Sequence, residues 1–156
     1  MDKPRPDLLA GLPDDAVDGV TELGSVVSLS KDEVLFALGD AAENLYVVLE
    51  GGVALSLPMK VRGAERDVLI EEREPGQAFG WSALVPPHRF TLKATAAMDS
   101  TVLALPRTAL LDHFEARPDI GYAVTRNVAA VVGHRLQVLQ AMWLREMQRV
   151  VDLSGG

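Results

Sequence analysis

The middle of the chain alternates between short apolar runs and turn residues. Seven runs of this kind lie between Ser25 and Pro106: SVVSL, EVLFAL, NLYVVLE, GVALSL, RDVLIEE, FTLKATA and STVLAL. Gly-Asp, Gly-Gly, Arg-Gly and Pro-Gly steps punctuate them, and such steps favour turns. Within FTLKATA apolar and polar residues alternate, as in a strand with one dry and one wet face. The pattern predicts a closed or double-sheet antiparallel β structure, a jelly roll or barrel, over about residues 25–106.

Helical patterns flank this β region. Before it, DDAVDGVTEL starts with acidic residues, which the helix dipole favours, and stops at Gly24, which suits a C-cap. After it, RTALLDHFEAR predicts a short helix that ends before Pro118, and a long helix is predicted over residues 119–152. Residues 1–12 are rich in proline, so we expect a flexible N-terminus followed by a single domain over residues 13–156.

An apolar seam runs along the predicted long helix with a spacing close to that of a coiled coil. Its residues, at intervals of four, three, four, four and three, are Val132, Leu136, Leu139, Trp143, Met147 and Val150. A helix of this length extends beyond a small β-roll, so the seam predicts a homodimer through the long helix. Ile120, Val124 and Val128 would then pack on the β region. The alternative is an amphipathic helix that folds back on its own domain.

Composition narrows the classes of partner. The chain has 156 residues, of which 48% are hydrophobic and 24% charged, a balance that suits one globular domain. Its net charge of −7 argues against a nucleic-acid-binding surface, which clustered lysines and arginines would reveal. The N-terminal segment lacks the apolar run of a signal peptide, and no run is long enough to cross a bilayer. We therefore predict a cytoplasmic protein with no membrane and no nucleic-acid partner.

Catalytic and metal-binding chemistry find little support in the sequence. The absence of cysteine excludes disulfides and thiolate zinc sites. His88, His113 and His134 lack the short spacing of metal ligands. Ser82 does not lie on a nucleophile elbow, and acidic residues occur in surface-like runs such as EERE at 71–74. We predict that the protein is not an enzyme and has no metal site and no cofactor.

Several stretches carry a resemblance to a known family. They are LSKDEVLFALGD (29–40), NLYVVLEGGVAL (44–55), PGQAFGWSAL (75–84), and RPDIGYAV and HRLQVLQ in the predicted long helix. In this order they resemble the cyclic-nucleotide-binding domain family, which includes bacterial catabolite activators and the regulatory subunits of the cyclic-AMP-dependent kinase. The resemblance runs from about Leu12 to Val151. It implies a mainly β fold with flanking helices: an antiparallel β-roll (a double-stranded β-helix or jelly roll) plus a short and a long C-terminal helix.

The family binds its ligand through a phosphate-binding cassette that reads Phe-Gly-Glu-x-Ala-Leu. Backbone N–H groups and an arginine after the next loop hold the cyclic phosphate, and the glutamate accepts the ribose 2′-hydroxyl. Here Trp81 stands at the glutamate position, and an indole can only donate. The resemblance implies a divergent ligand site that comprises Phe79, Gly80, Trp81, Ser82, Ala83, Leu84, His88, Arg89 and Gln140.

The arginine and base contacts of this site are also altered. Counting back from Thr91, the arginine slot falls on His88, and Arg89 comes one residue late. Strand alternation directs Arg89 away from the pocket if regular pleating begins that early, unless the Pro-Pro step distorts the strand entry. On the long helix, Leu139 and Gln140 replace hydroxyl residues that contact adenine in the bacterial activators, and only Gln140 can hydrogen-bond a base.

Together these residues predict a stand-alone, non-catalytic regulatory or sensor module. It would bind a small anionic or nucleotide ligand, of undefined identity, that is allosterically coupled to the dimer helix, while the usual cyclic-AMP contacts are degraded. The alternative is a ligand-free β-roll that acts by dimerisation and docking to a protein partner. Because VVDLSGG stands where a helix-turn-helix would begin in the activators, we expect no DNA-binding domain.

Overall fold

Two four-stranded antiparallel sheets form the body of the protein, as seen in a computed structural model that describes residues 5–155. The strands are β1 (Ser25–Leu29), β2 (Val34–Phe36), β3 (Asn44–Glu50), β4 (Val53–Val61), β5 (Ala64–Arg73), β6 (Ala78–Phe79), β7 (Lys93–Ala96) and β8 (Ser100–Pro106). The helices are α1 (Asp14–Thr21), α2 (Arg107–Ala116) and α3 (Pro118–Ser154). This confirms the predicted fold class, a β-roll with a short and a long C-terminal helix.

The two sheets differ in how they are covered. One has the strand order β1-β8-β3-β6, and the other has the order β2-β7-β4-β5. Four consecutive residues of β8, from Val102 to Leu105, are buried, which means that both faces of this strand are covered. The segment after α1 approaches the outer face closely, because a Cβ at Gly24 would come within 2.8 Å of Leu103 Cδ1. In the second sheet β5 lies at the edge, and it is mostly exposed.

The N-terminal segment is more ordered than its prolines predict. Asp7–Leu9 form a 3₁₀ turn, and Leu8, Leu9 and Leu12 are buried in the core. Asn127 of α3 fixes this turn by donating to the carbonyl of Leu8 at 2.8 Å. The prediction of a flexible segment over residues 1–12 is therefore corrected for residues 7–12, because three leucines provide apolar surface for packing; residues 1–4 lie outside the described part of the chain.

The long helix α3 has two different halves. In the first half Ile120, Ala123, Val124 and Val128 are buried against the rest of the domain. Val132, the first residue of the predicted seam, also packs against the core, whereas the seam from Leu136 onward is exposed and Trp143 is 62% exposed. With 37 residues, α3 is about 55 Å long and extends past the roll, as the sequence predicts. Within residues 5–155, no helix combines the length and apolarity needed to cross a membrane.

Candidate functional site

The site is built around a turn that follows the short strand β6. Gly80 has a left-handed conformation with φ 77°, and it starts a 3₁₀ turn over Trp81–Ala83, which we call the cassette turn. A Cβ at Gly80 would lie 3.2 Å from the Phe90 ring and 3.3 Å from the Tyr46 ring, so only glycine fits this conformation and this space. The stretch predicted as the cassette therefore forms a turn that depends on glycine at position 80.

The side chains predicted for the cassette have unequal roles. Phe79 and Ala83 are buried in the hydrophobic core, and Ser82 is also buried. These three residues hold the turn in place. Trp81 and Leu84 are half-buried and pack against the core from its rim. Of the predicted cassette residues, only Gly80, Trp81 and Ser82 line the cavity beside the turn.

The two candidates for the phosphate-binding arginine each contact a backbone carbonyl, His88 within the cassette turn and Arg89 outside it. His88 has a positive φ of 59°, and its Nδ1 lies 3.2 Å from the carbonyl oxygen of Ser82. Arg89 Nη1 donates to the carbonyl of Gly39 at 3.0 Å. Regular pleating begins only at Lys93, so the alternation argument does not apply as far back as Arg89. The outcome is the same, because Arg89 is bonded at Gly39 rather than at the cassette turn.

A different basic residue lies over the cassette turn. The guanidinium carbon of Arg135, on α3, is 5.9 Å from the centroid of the Trp81 ring, a cation–π distance. Arg135 Nη2 also donates to Glu71 Oε2 of β5 at 2.6 Å. Gln140, the predicted base contact, is exposed and does not line the cavity beside the turn. Sequence reasoning missed Arg135, although its place beside the seam residue Leu136 could have indicated a flank that faces the roll.

Arg135 of α3 forms a largely buried charge cluster with Glu71 and Arg73 of β5. Arg73 Nη2 lies 2.7 Å from the other oxygen of Glu71, so Glu71 is shared by two guanidiniums. The side chains of Arg73 and Arg135 are only 9% and 14% exposed. Burial lowers the pKa of Arg73, Glu71 raises it and Arg135 lowers it further. The expectation that EERE at 71–74 is a surface run is therefore wrong at Arg73, which is buried because Glu71 gives it a partner.

Two cavities border this cluster. The first, beside the cassette turn, has a volume of only about 10 Å³. Phe36 and Phe90 reduce it, because their rings stack with centroids 3.5 Å apart. The second, which we call the helix-side cavity, lies between β5 and α3 and has a volume of about 550 Å³. Arg135 lines both. Ligand pockets in proteins commonly measure about 300–1,000 Å³, so only the helix-side cavity has the size of a ligand pocket.

The described residues 5–155 offer no cluster of metal ligands. Among residues 5–155, no group of three or more His, Asp or Glu side chains is arranged to hold a metal ion. The chemistry of the site consists of guanidinium, carboxylate, indole and backbone groups. These groups are suited to binding an anion or a planar molecule.

The β-roll, the cassette turn and the helices that follow define the fold of a class of sensor domains found in regulatory proteins. The sequence profile of the cyclic nucleotide-binding domain family matches residues 26–117, and the chain belongs to this family. The match includes the whole cassette stretch and α2, and it stops just before α3.

Among solved structures, the chain is similar to several bacterial proteins. It is 27% identical to the catabolite activator protein of Thermus thermophilus, with a TM-score of 0.74 over 88% of this chain and 61% of that one. It is 29% identical to the N-terminal domain of a transcriptional regulator from Streptomyces coelicolor, with a TM-score of 0.71 over 83% of this chain and 91% of that one. A putative cyclic nucleotide-binding protein from Geobacter metallireducens is 28% identical, with a TM-score of 0.68 and the same two coverages.

One curated protein also matches, and it is much longer. Glutaminase 2 of Bradyrhizobium diazoefficiens is 27% identical over 136 residues, which cover 86% of this chain. The chain spans only 20% of the length of that protein. The match extends over most of this one domain and leaves four fifths of the glutaminase unmatched.

Proposed function

We propose that this protein is a non-catalytic regulatory module that forms a dimer through α3 and couples a small anionic or nucleotide ligand at the cassette turn to the position of that helix. The observation that carries this proposal is the double contact of Arg135. It reaches Trp81 of the cassette turn and Glu71 of β5 from a helix whose far half has an unpaired apolar face. A ligand that displaces Trp81 or Arg135 would change the attachment of α3 to the roll. If it binds one position of α3 more tightly than another, it shifts the equilibrium between the two positions.

Under this proposal, the chain has lost most of the side-chain contacts that the family makes with cyclic AMP. Trp81 offers no acceptor for a ribose hydroxyl, Arg89 is occupied at Gly39, and Gln140 is exposed. The ligand would therefore be held by backbone groups of the cassette turn and by Arg135. We expect weak binding of cyclic AMP and a preference for another anion or nucleotide.

Titration calorimetry with cyclic AMP, cyclic GMP and cyclic dinucleotides tests the ligand part of the proposal. A binding ligand should release or absorb heat and should raise the melting temperature as its concentration rises. An Arg135→Met variant tests the coupling: because Arg135 is proposed to hold both the ligand and α3, this variant should bind the ligand more weakly and lose the accompanying change in dimer stability. No heat and no melting shift at millimolar concentrations of every nucleotide would contradict ligand control at the cassette.

A second candidate function is a ligand-free interaction protein that acts by dimerisation and docking to a protein partner. The volume of about 10 Å³ beside the cassette turn supports it, because a cyclic nucleotide cannot enter unless Trp81 or the aromatic rings move. The double variant Trp81→Glu with His88→Arg separates the two candidates. If cyclic-AMP binding appears in the variant and not in the original chain, then these two replacements closed the pocket.

The same proposal includes a homodimer, a protein partner and a cytoplasmic location. The exposed apolar seam of α3 supports the dimer, because a large exposed apolar patch indicates an interaction site. The location is supported by the lack of cysteine in the sequence, because disulfides are typical of oxidising compartments.

A further inference from the structure

The exposed half of α3 has more apolar surface than the seam uses. Leu144 and Val151 are 62% and 59% exposed, and neither belongs to the seam. Each follows a seam residue, Trp143 or Val150, by one position, which places it about 100° further around the helix. A pairing of two helices that is centred on the seam would therefore leave both side chains outside its centre.

Leu144 and Val151 are part of a regular stripe along the helix. Its five residues, at intervals of four, three, four and three, are Gln137, Ala141, Leu144, Gln148 and Val151. We call them the second stripe. All five are exposed, and the stripe is centred about 120° around the helix from the seam. Alternating intervals of four and three are typical of a surface that packs against another helix, because such side chains lie along one line.

The charged residues of this half avoid the second stripe. Between residues 136 and 155 they are Arg145, Glu146, Arg149 and Asp152. The seam and the second stripe together form an arc of about 200° without a charge, and the four charged residues share the rest of the circumference. A two-stranded coiled coil usually has charged residues on both sides of its seam. Their absence on one side is the depletion of charge that is typical of the core of a protein–protein interface.

One unpaired charge borders the second stripe. Glu146 and Arg149 pair with each other at 2.7 Å, and Asp152 Oδ1 accepts a hydrogen bond from Gln148 Nε2 at 2.8 Å. Within residues 5–155, Arg145 takes part in no ion pair. Charges that flank a helix–helix contact select the partner by forming ion pairs across it. The guanidinium of Arg145 therefore favours a helix with a carboxylate on its flank.

We propose that the second stripe docks an amphipathic helix of a protein partner, with an apolar contact face and carboxylates on its flank. The apolar face would cover Leu144 and Val151, and a carboxylate would pair with Arg145. Gln137 and Gln148 would fix the register, as polar residues within a helix–helix contact do. The docking needs no ligand and no pairing of the seam, so it does not depend on the function proposed above.

A synthetic helix tests this proposal. The probe is a fluorescein-labelled peptide of three EIAALEQ repeats, whose apolar face is flanked by glutamates. A second peptide has lysine at each glutamate position, and therefore the same apolar face with the opposite charge. The acidic peptide should bind saturably in a fluorescence anisotropy titration, although the protein also has a negative net charge. The absence of saturable binding, or tighter binding of the lysine peptide, would overturn the proposal.

Two matched double variants locate the bound peptide. Leu144→Gln with Val151→Gln removes the large apolar side chains of the second stripe and should weaken binding by about thirtyfold. Met142→Gln with Leu153→Gln is the control, because these exposed apolar residues lie on the opposite side of α3. The control should bind within about twofold of the original chain. Equal weakening by both pairs would mean unspecific apolar association and would overturn the proposal.

A charge reversal tests the flank. Arg145→Glu should weaken binding of the acidic peptide by about tenfold and strengthen binding of the lysine peptide. Arg149→Glu makes the same change in net charge about 120° away from the stripe, and its effect should stay within about twofold. Equal effects of the two reversals would show that only net charge matters, which contradicts a carboxylate at Arg145.

Light scattering on the same samples separates this result from the proposed function. The variant Leu144→Gln with Val151→Gln should remain a dimer. If it becomes a monomer, or if the original chain is a tetramer that this variant reduces to a dimer, a second copy covers the stripe and the docking proposal is wrong. A monomeric original chain that still binds the acidic peptide contradicts only the proposed dimer.

Discussion

The two halves of α3 have similar apolar content and opposite surroundings. In the first half Ile120 and Val124 are 1% exposed, and in the second half Trp143 is 62% exposed and Leu153 is 77% exposed. The change occurs near Arg135, the last residue that holds the helix to the roll by an ion pair. The difference shows that one continuous helix has two roles. Its first half completes the hydrophobic core, and its second half exposes an apolar surface to solvent. An apolar surface of this extent indicates an interaction site.

The largest effect should come from charging the exposed half. Leu139→Asp with Trp143→Asp should raise the dissociation constant of the dimer by about a thousandfold, because two carboxylates would have to be desolvated in the seam. Light scattering across a dilution series measures this change. The control is Gln137→Asp with Ala141→Asp, which has the same spacing on the opposite side of the helix and should remain a dimer. A dimer that survives the seam variant would place the interface elsewhere.

Removing a side chain from the buried half should affect folding instead. Ile120→Ala should lower the free energy of unfolding by about 3 kcal/mol, because it removes buried methyl groups and leaves a cavity. Urea unfolding, at a single protein concentration for all variants, gives the value. Val150→Ala in the exposed half of the same helix should change the stability of the monomeric seam variant by less than about 0.5 kcal/mol. Equal losses at both positions would mean that the far half also packs on its own domain.

The smallest effect should occur at the boundary between the halves. Arg135→Met should destabilise the fold by about 1 kcal/mol, since Glu71 is partly exposed and keeps Arg73 as a partner. Arg145→Met, in the exposed half, should be close to neutral. Indole fluorescence offers a second measurement, because loss of the cation above Trp81 should change the emission of that residue. An unchanged spectrum would show that Arg135 does not rest on the cassette turn in solution.

The fold was predictable because its signals are repeated along the sequence. Seven apolar runs and three helical patterns each correspond to an observed element. Strand β6 was missed because two residues cannot show a period. The packed N-terminal turn was missed because the prolines of this segment were taken as a sign of flexibility, although its three leucines are buried in the core.

The site was less predictable, because it depends on contacts between distant segments. The cassette turn was predicted from a short local stretch of sequence, and Gly80 has the left-handed conformation that the turn needs. The role of Arg73 depends on Glu71 and on Arg135, which comes 62 residues later in the chain. The run EERE by itself does not indicate that the guanidinium of Arg135, on α3, pairs with Glu71. Such residues become visible only when β5 and α3 are placed side by side.

The helix-side cavity adjoins the seam along α3, with Leu139 common to both, and this has a consequence for stoichiometry. Each chain lines a helix-side cavity of its own, so the proposed dimer would have two equivalent cavities. Two such sites that act independently give a hyperbolic saturation curve. A Hill coefficient different from one would then measure how far a rotation of one α3 is passed to its neighbour across the seam.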